Sequence, residues 1–147
     1  MISAGIGILI ASVDSIIKQV QEQNGSFGIK KEIFGGKAYL TKHHNRGFCG
    51  NLFDKHTEVV KGVSICLCII CFLTYIFTLG KKGKKLLRVG LATLLGGAYS
   101  NTYDRMIRGY VVDYVGFNVP NEKFGNLVFN ISDFAIIIGA MICAISV

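Results

Sequence analysis

Residues 96–140 open as GGAYSNTYDRMIRGYVVDY (96–114) and end as FNISDFAIIIGA (129–140), with a polar connection between them. Three aspartates, Asp104, Asp113 and Asp133, lie in or beside apolar runs. Asn101 and Asp104 are three positions apart, as are Asn130 and Asp133, which puts each pair on one face of a helix. An ionisable group inside a membrane segment costs about 2.5 to 3.5 kcal/mol on insertion scales, so its presence points to a functional site. Two carboxylates held close together cannot easily both ionise; one keeps a proton and the pair titrates as a unit. Such a dyad activates water with its charged member and protonates a leaving amine with the other, as in aspartic proteases. Paired membrane carboxylates also serve proton- or cation-coupled transport, and the residues by themselves leave both readings open.

The rest of the chain reads as a membrane scaffold for that stretch. Of its 147 residues 51% are apolar, yet the formal charge is +7. The lysines cluster between apolar runs, so positive-inside topology explains the charge better than nucleic-acid binding does. Transmembrane helices are expected at about 1–22, 59–79, 86–104 and 127–147, in one membrane domain spanning 1–147. The outer loops are then 23–58 and 105–126. No charged segment precedes the first apolar run, which favours a first transmembrane helix over a cleaved signal peptide. Lys81, Lys82, Lys84, Lys85 and Arg88 crowd the second loop and place it in the cytoplasm, with both termini inside. Asp14, Asp104, Asp113 and Asp133 then share one depth near the outer leaflet.

Within this frame the local signals are specific. Gly7, Ala11, Asp14 and Lys18 share a helical face, and Asp14 and Lys18 are spaced to pair. Thr93, Gly97, Asn101 and Asp104 form a small and polar face on the third helix; Asn130, Asp133, Ile137 and Ala140 share one on the fourth. Arg105, next to Asp104, is expected to pair with it at the helix end. Gly35-Gly36 fits a small β-hairpin, and GYVVDY (109–114) reads as extended. Asn45 and Gly47 sit in HHNRGFCGNLF (43–53) as loop residues, and adjacent His43 and His44 would face opposite ways on a strand. Cys66, Cys68 and Cys71 lie in one apolar run and read as small apolar filler; no disulfide framework, metal site or cofactor is expected.

The motifs resemble those of signal peptidase II, the bacterial lipoprotein signal peptidase family, over nearly the whole chain. GGAYSNTYDR resembles the family's GNxxDR through Gly96, Gly97, Asn101, Asp104 and Arg105. RGYVVDY resembles GxVVDF through Gly109, Val111, Val112 and Asp113. FNISD resembles FNxAD through Phe129, Asn130 and Asp133. Asp14 and Lys18 echo DQxxK, and Asn45 with Gly47 echoes NxGxxF. Ser15, Ser132 and Phe48-Cys49-Gly50 depart from the family pattern.

The resemblance implies a mainly α membrane protein with four transmembrane helices and a small extracytoplasmic β-cradle. It implies an aspartyl endopeptidase that cuts diacylglyceryl-modified prolipoproteins before the lipidated Cys, in the bacterial cytoplasmic membrane, as a monomer among membrane lipid. Asp113 and Asp133 match its catalytic dyad. Asp14, Lys18, Asn45, Gly47, Asn101, Asp104, Arg105 and Asn130 match positions that bind substrate or brace the site. Residues 23–56 would form the cradle, and 114–126 a mobile outer segment. A catalytically silent lipopeptide-binding relative and a small proton- or cation-coupled carrier are the alternatives.

Overall fold

The third long helix is the axis on which the other elements are hung. The computed structural model describes residues 2–146, and of residues 122 and 123 the backbone only. In chain order the elements are α1 (Ile2–Asn24), β1 (Lys31–Ile33), β2 (Ala38–Asn45), α2 (Thr57–Thr78), α3 (Lys85–Ile107), β3 (Val111–Phe117), the one-turn α4 (Glu122–Gly125), β4 (Val128–Phe129) and α5 (Ile131–Ile145). Helix α3 packs against α1, α2 and α5. Its small residues make this possible. A Cβ on Gly96 would lie 2.5 Å from the Gly7 carbonyl of α1, and one on Gly97 would strike the Ser132 carbonyl of α5. Backbones approach this closely only where side chains are absent, the usual means of joining helices in lipid.

Two helices, α1 and α2, are long and apolar enough to cross a membrane, and α5 is a shorter apolar helix. The outer flank of α2 leaves Leu67, Ile70 and Leu73 about half exposed, an apolar surface that suits lipid. Helix α3 instead buries Thr93, Ser100, Asn101 and Asp104.

The fourth long helix starts at Ile131, not at 127, because Val128 and Phe129 pair with Gly116 and Val115 of β3. Its buried stripe also differs from the expected one. Ser132, Ala135 and Gly139 face inward, while Ile137 is 52% exposed.

The four strands form an antiparallel sheet in the order β1-β2-β3-β4. The β1–β2 hairpin turns through Phe34–Gly36, with Gly35 at φ 66° and Gly36 at φ 82°. A bulge between Leu40 and His43 resets the register so that His43 opposes Asp113 and Asn45 opposes Val111. His44 turns to the other side, stacks on Tyr110 at 3.8 Å and bonds Glu22 of α1 at 2.9 Å, tying the sheet to the helix end. The expected outer segment 114–126 is shorter than foreseen. Tyr114–Phe117 belong to β3, and Tyr114 is 2% exposed.

Candidate active site

The site assembles where the ends of α1, α3 and α5 meet β2 and β3. Helix α1 contributes Asp14 and Lys18, both fully buried one turn apart, with Lys18 Nζ 2.8 Å from Asp14 Oδ2. A buried pair must satisfy its remaining donors and acceptors or cost stability, and here the neighbours supply them. Ser100 Oγ donates to Asp14 Oδ2 at 2.7 Å and Ser132 Oγ does so at 2.6 Å. Tyr114 donates its hydroxyl to Asp14 Oδ1 at 2.8 Å. Lys18 also donates to Ser100 Oγ and Asn101 Oδ1 and lies 3.2 Å from Asp104 Oδ2.

Asn101 joins this bracing cluster to the two remaining carboxylates. Its Oδ1 accepts from Lys18 and, at 3.2 Å, from Asn130 Nδ2, while its Nδ2 donates to Asp133 Oδ1 at 2.8 Å. Asn130 caps α5 through a capping box: its side chain accepts from the Asp133 N–H, and Asp133 Oδ2 accepts from the Asn130 N–H. The same Asn130 donates to Asp113 Oδ1 at 2.7 Å, and Asn45 donates to Asp113 Oδ2 at 3.0 Å. One residue therefore touches both Asp113 and Asp133. Burial first, and then the charge of Asp133, push the Asp113 carboxyl up to about 7, against the amide hydrogen bonds from Asn45 and Asn130 that favour its charged form.

The loop after β2 folds over this cluster. Gly47 N–H donates to Asn45 Oδ1 at 3.0 Å, and Arg105 Nη2 donates to the Gly47 carbonyl at 2.8 Å. The Asn51 side chain accepts from the Arg46 and Gly47 amides, with Asn51 itself at φ 65°. Across from it, Gly50 faces Leu127 so closely that a Cβ would sit 2.8 Å from Leu127 Cδ2. Cys49 is exposed at this loop; partial desolvation, and then the charges of Asp133 and Asp113, push its thiol above the usual range.

All ten residues singled out in the sequence meet here, but one pairing differs. Asp104 is held by Lys18 and by Arg108, whose Nε is 3.2 Å from Asp104 Oδ1, not by Arg105. Successive helix residues point about 100° apart, so Arg105 turns away from Asp104 toward Gly47 and the ring of Phe48. Among the described residues its buried Nε has no hydrogen-bond partner.

The sequence reading missed four contributors: Ser100, Ser132, Tyr114 and Arg108. Ser100 was findable, since it sits four positions before Asp104 and four after Gly96 on the packed face of α3. Tyr114 carries no such signal. Its neighbour Asp113 faces the amides while Tyr114, by strand alternation, faces α1.

The comparisons with known proteins agree with one another. A family model described as Signal peptidase (SPase) II matches residues 6–147. The lipoprotein signal peptidase of Moorella thermoacetica is 31% identical over 137 residues, which is 93% of this chain and 86% of that one. The lipoprotein signal peptidase of Brucella ovis is 34% identical over 135 residues, 90% and 81% of the two chains. A solved bacterial membrane enzyme superimposes with a TM-score of 0.82 at 23% identity, covering 98% of this chain and 85% of the other, a likeness of fold.

Proposed function

The chain belongs to the signal peptidase II family and is an aspartic-type peptidase that removes signal peptides from prolipoproteins; from that premise we propose that Asp113 and Asp133 are its catalytic dyad. The observation that carries this assignment is Asn130, which donates to Asp113 and exchanges two hydrogen bonds with Asp133. It holds two carboxyls at one place while Lys18 is engaged with Asp14 and Asp104.

The two members differ in what surrounds them. Asp133 lies in the first turn of α5, where the helix dipole favours an anion, so in this reading it is the base. Asp113, with a carboxyl pushed up to about 7, keeps the shared proton. Asp133 takes a proton from water as the oxygen attacks the scissile carbonyl, and Asp113 protonates that carbonyl oxygen. On collapse the carbon–nitrogen bond breaks, the amine leaves with the proton taken from water, and Asp113 recovers its own. Arg105, whose Nη2 holds the Gly47 carbonyl beside this cluster, is in this reading the cation that positions the loop and the substrate backbone over the dyad. Asp14, Lys18 and Asp104 brace.

The same reading sets the topology. Four spans place the Lys81–Lys85 loop in the cytoplasm and the dyad toward the outer leaflet. There it meets a diacylglyceryl-modified precursor and cuts before the lipidated Cys. Support comes from the apolar character of α1, α2 and α5 and from the basic residues at the α2–α3 connection, packed more densely than those of the longer 23–58 loop.

The test is cleavage of a lipidated precursor by Asp113→Asn, Asp133→Asn and the double variant. Each single substitution keeps shape and hydrogen bonding but removes proton transfer, so turnover is expected to fall by about 100- to 10,000-fold. The double variant is expected to be no worse than either single one, because groups that act as a unit lose function together. A single variant with near-normal turnover would sink the assignment.

A further inference from the structure

Two features remote from the dyad lie one helical turn apart. The first is the connection between α2 and α3. Lys81, Lys82, Lys85 and Arg88 border a concavity of about 450 Å³ there, and Arg88 folds back to donate to the Leu79 carbonyl at 2.9 Å. Among the described residues none of these four cations, nor Lys84, pairs with a carboxylate. The second is a groove of about 670 Å³ between α1, α2 and α3, whose walls include Gly7, Ala11, Cys68, Phe72, Ala92 and Leu95. The Ser3 and Tyr75 hydroxyls meet at 3.0 Å and join α1 to α2 at one end of it.

Helix geometry relates the two. Tyr75 lines the groove and Leu79 the cationic concavity, four residues apart on α2; Ala92 and Arg88 are four apart on α3. At 1.5 Å per residue the separation is about 6 Å. From Ala92 to Tyr99 the groove then continues for roughly 10 Å. The sum is close to the ~15 Å depth of one leaflet's hydrocarbon.

We infer that this connection and groove together bind one anionic glycerophospholipid, with the phosphate against Lys82, Lys85 and Arg88 and an acyl chain lying in the groove. Charge selects the ligand: among the described residues the concavity offers several cations and no paired carboxylate, so a net-negative headgroup is held in preference to a zwitterionic one. The groove selects for a chain. Averaged over about 10 Å of length its cross-section is roughly 65 Å², less than the ~80 Å² that a bare 10 Å helix fills. The bound lipid then lies between α1 and α2, against α3.

The test uses the whole protein in nanodiscs containing equal amounts of phosphatidylglycerol and phosphatidylcholine, released for native mass spectrometry. The wild type is expected to retain one phosphatidylglycerol with a preference of about ten-fold or more. Neutralising the cations as Lys82→Gln, Lys85→Gln and Arg88→Gln is expected to lower that preference about five-fold or more. Ala11→Phe fills the groove, leaves every cation in place, and is expected to lower total retained lipid by a similar factor. Raising salt from about 50 to 500 mM probes the unmodified protein, where the shorter screening length is expected to erode the preference. Equal retention of the two lipids, or a preference indifferent to charge and salt, overturns the site. Lipid retained as in wild type by Ala11→Phe overturns the groove's part in it. Displacement by free glycerol phosphate would show a soluble-phosphate site instead, and dimers in place of lipid adducts would show a second copy as the occupant.

Discussion

The polar end of the bundle and the outer flank of α2 treat polar atoms in opposite ways. At the polar end, Asp14, Lys18, Asn130 and Ser132 are 0% exposed, and their side chains are satisfied by residues from other elements. On the exposed flank of α2 the Thr74 hydroxyl bonds within its own helix, donating to the Ile70 carbonyl at 2.8 Å. Around it Leu67, Leu73 and Phe77 stay exposed. Self-satisfied hydroxyls need no neighbour, so the flank of α2 tolerates lipid on its outer side. Charges cannot do this, and the carboxylates therefore gather where five elements converge. The polar end should behave as a unit and the flank as independent residues.

Lys18→Met is the sharpest way to break that contrast. It leaves Asp14 buried without a cation, and removal of one partner of a buried pair costs about 3 to 5 kcal/mol. Thermal unfolding in detergent measures the loss. The double variant with Asp14→Leu should cost less than the sum of the singles, because the two share one interaction. On the flank, Leu67→Ala should stay within about 0.5 kcal/mol. Additive effects at Asp14 and Lys18 would show that the cluster is not a unit.

Acidity gives the next largest effect. Asp113 is 1% exposed and its carboxyl is raised from 3.8 to about 7. The folded protein therefore holds this proton more tightly than the unfolded chain does. The stability it contributes is fully present below about pH 4 and is lost as pH rises through about 7, by up to a few kcal/mol at about 1.4 kcal/mol per unit. Asp113→Asn removes that slope, so the variant should gain on the wild type at pH 8 and not at pH 4. Parallel stability–pH curves for the two would refute this reading of Asp113.

Arg105 sharpens the comparison from the side of chemistry. Asp104 keeps Lys18 and Arg108 when Arg105 is removed, so Arg105→Ala should leave thermal stability within about 1 kcal/mol. It releases the Gly47 carbonyl, however, and loosens the loop over the dyad. Misplacement of about 1 Å near a reacting group costs up to about 100-fold in rate, and turnover should fall accordingly. Lost stability with normal turnover would return Arg105 to a bracing role.

How much of this was legible depended on the kind of signal. Asp113, Asp133 and Asn130 stand out because charge and amide groups in apolar sequence need partners. Asp14 and Lys18 pair as their spacing requires. The partner of Asp104 was misread because adjacency in sequence suggested Arg105, whereas i,i+4 geometry brings Arg108. The start of α5 was misplaced because Val128 and Phe129 are apolar in a strand as well as in a helix. Only the pairing with β3 decides between them. The sheet register could not be read at all, since the bulge between Leu40 and His43 arises from cross-strand contacts and has no composition of its own.

Within the polar cluster the smallest loss of stability is expected at Ser132, where the family pattern has alanine. Its hydroxyl makes the shortest bond to Asp14, at 2.6 Å, and Ser132 is fully buried. Asp14 Oδ2 would still accept from Ser100 and Lys18, and Oδ1 from Tyr114, so no charge is stranded by Ser132→Ala. A hydrogen bond to a charged group is worth about 1.5 to 3 kcal/mol when its partner is left bare. With three donors remaining, the carboxylate is not left bare and the cost should fall below that range, at about 1 kcal/mol. Turnover should not change, because the Ser132 hydroxyl bonds Asp14 and not the carboxyl of either dyad member. If the loss reaches that of Lys18→Met, the serine is an essential member of the polar cluster. If there is none, the cluster is satisfied without it, and Asp14 depends on its lysine far more than on its hydroxyls.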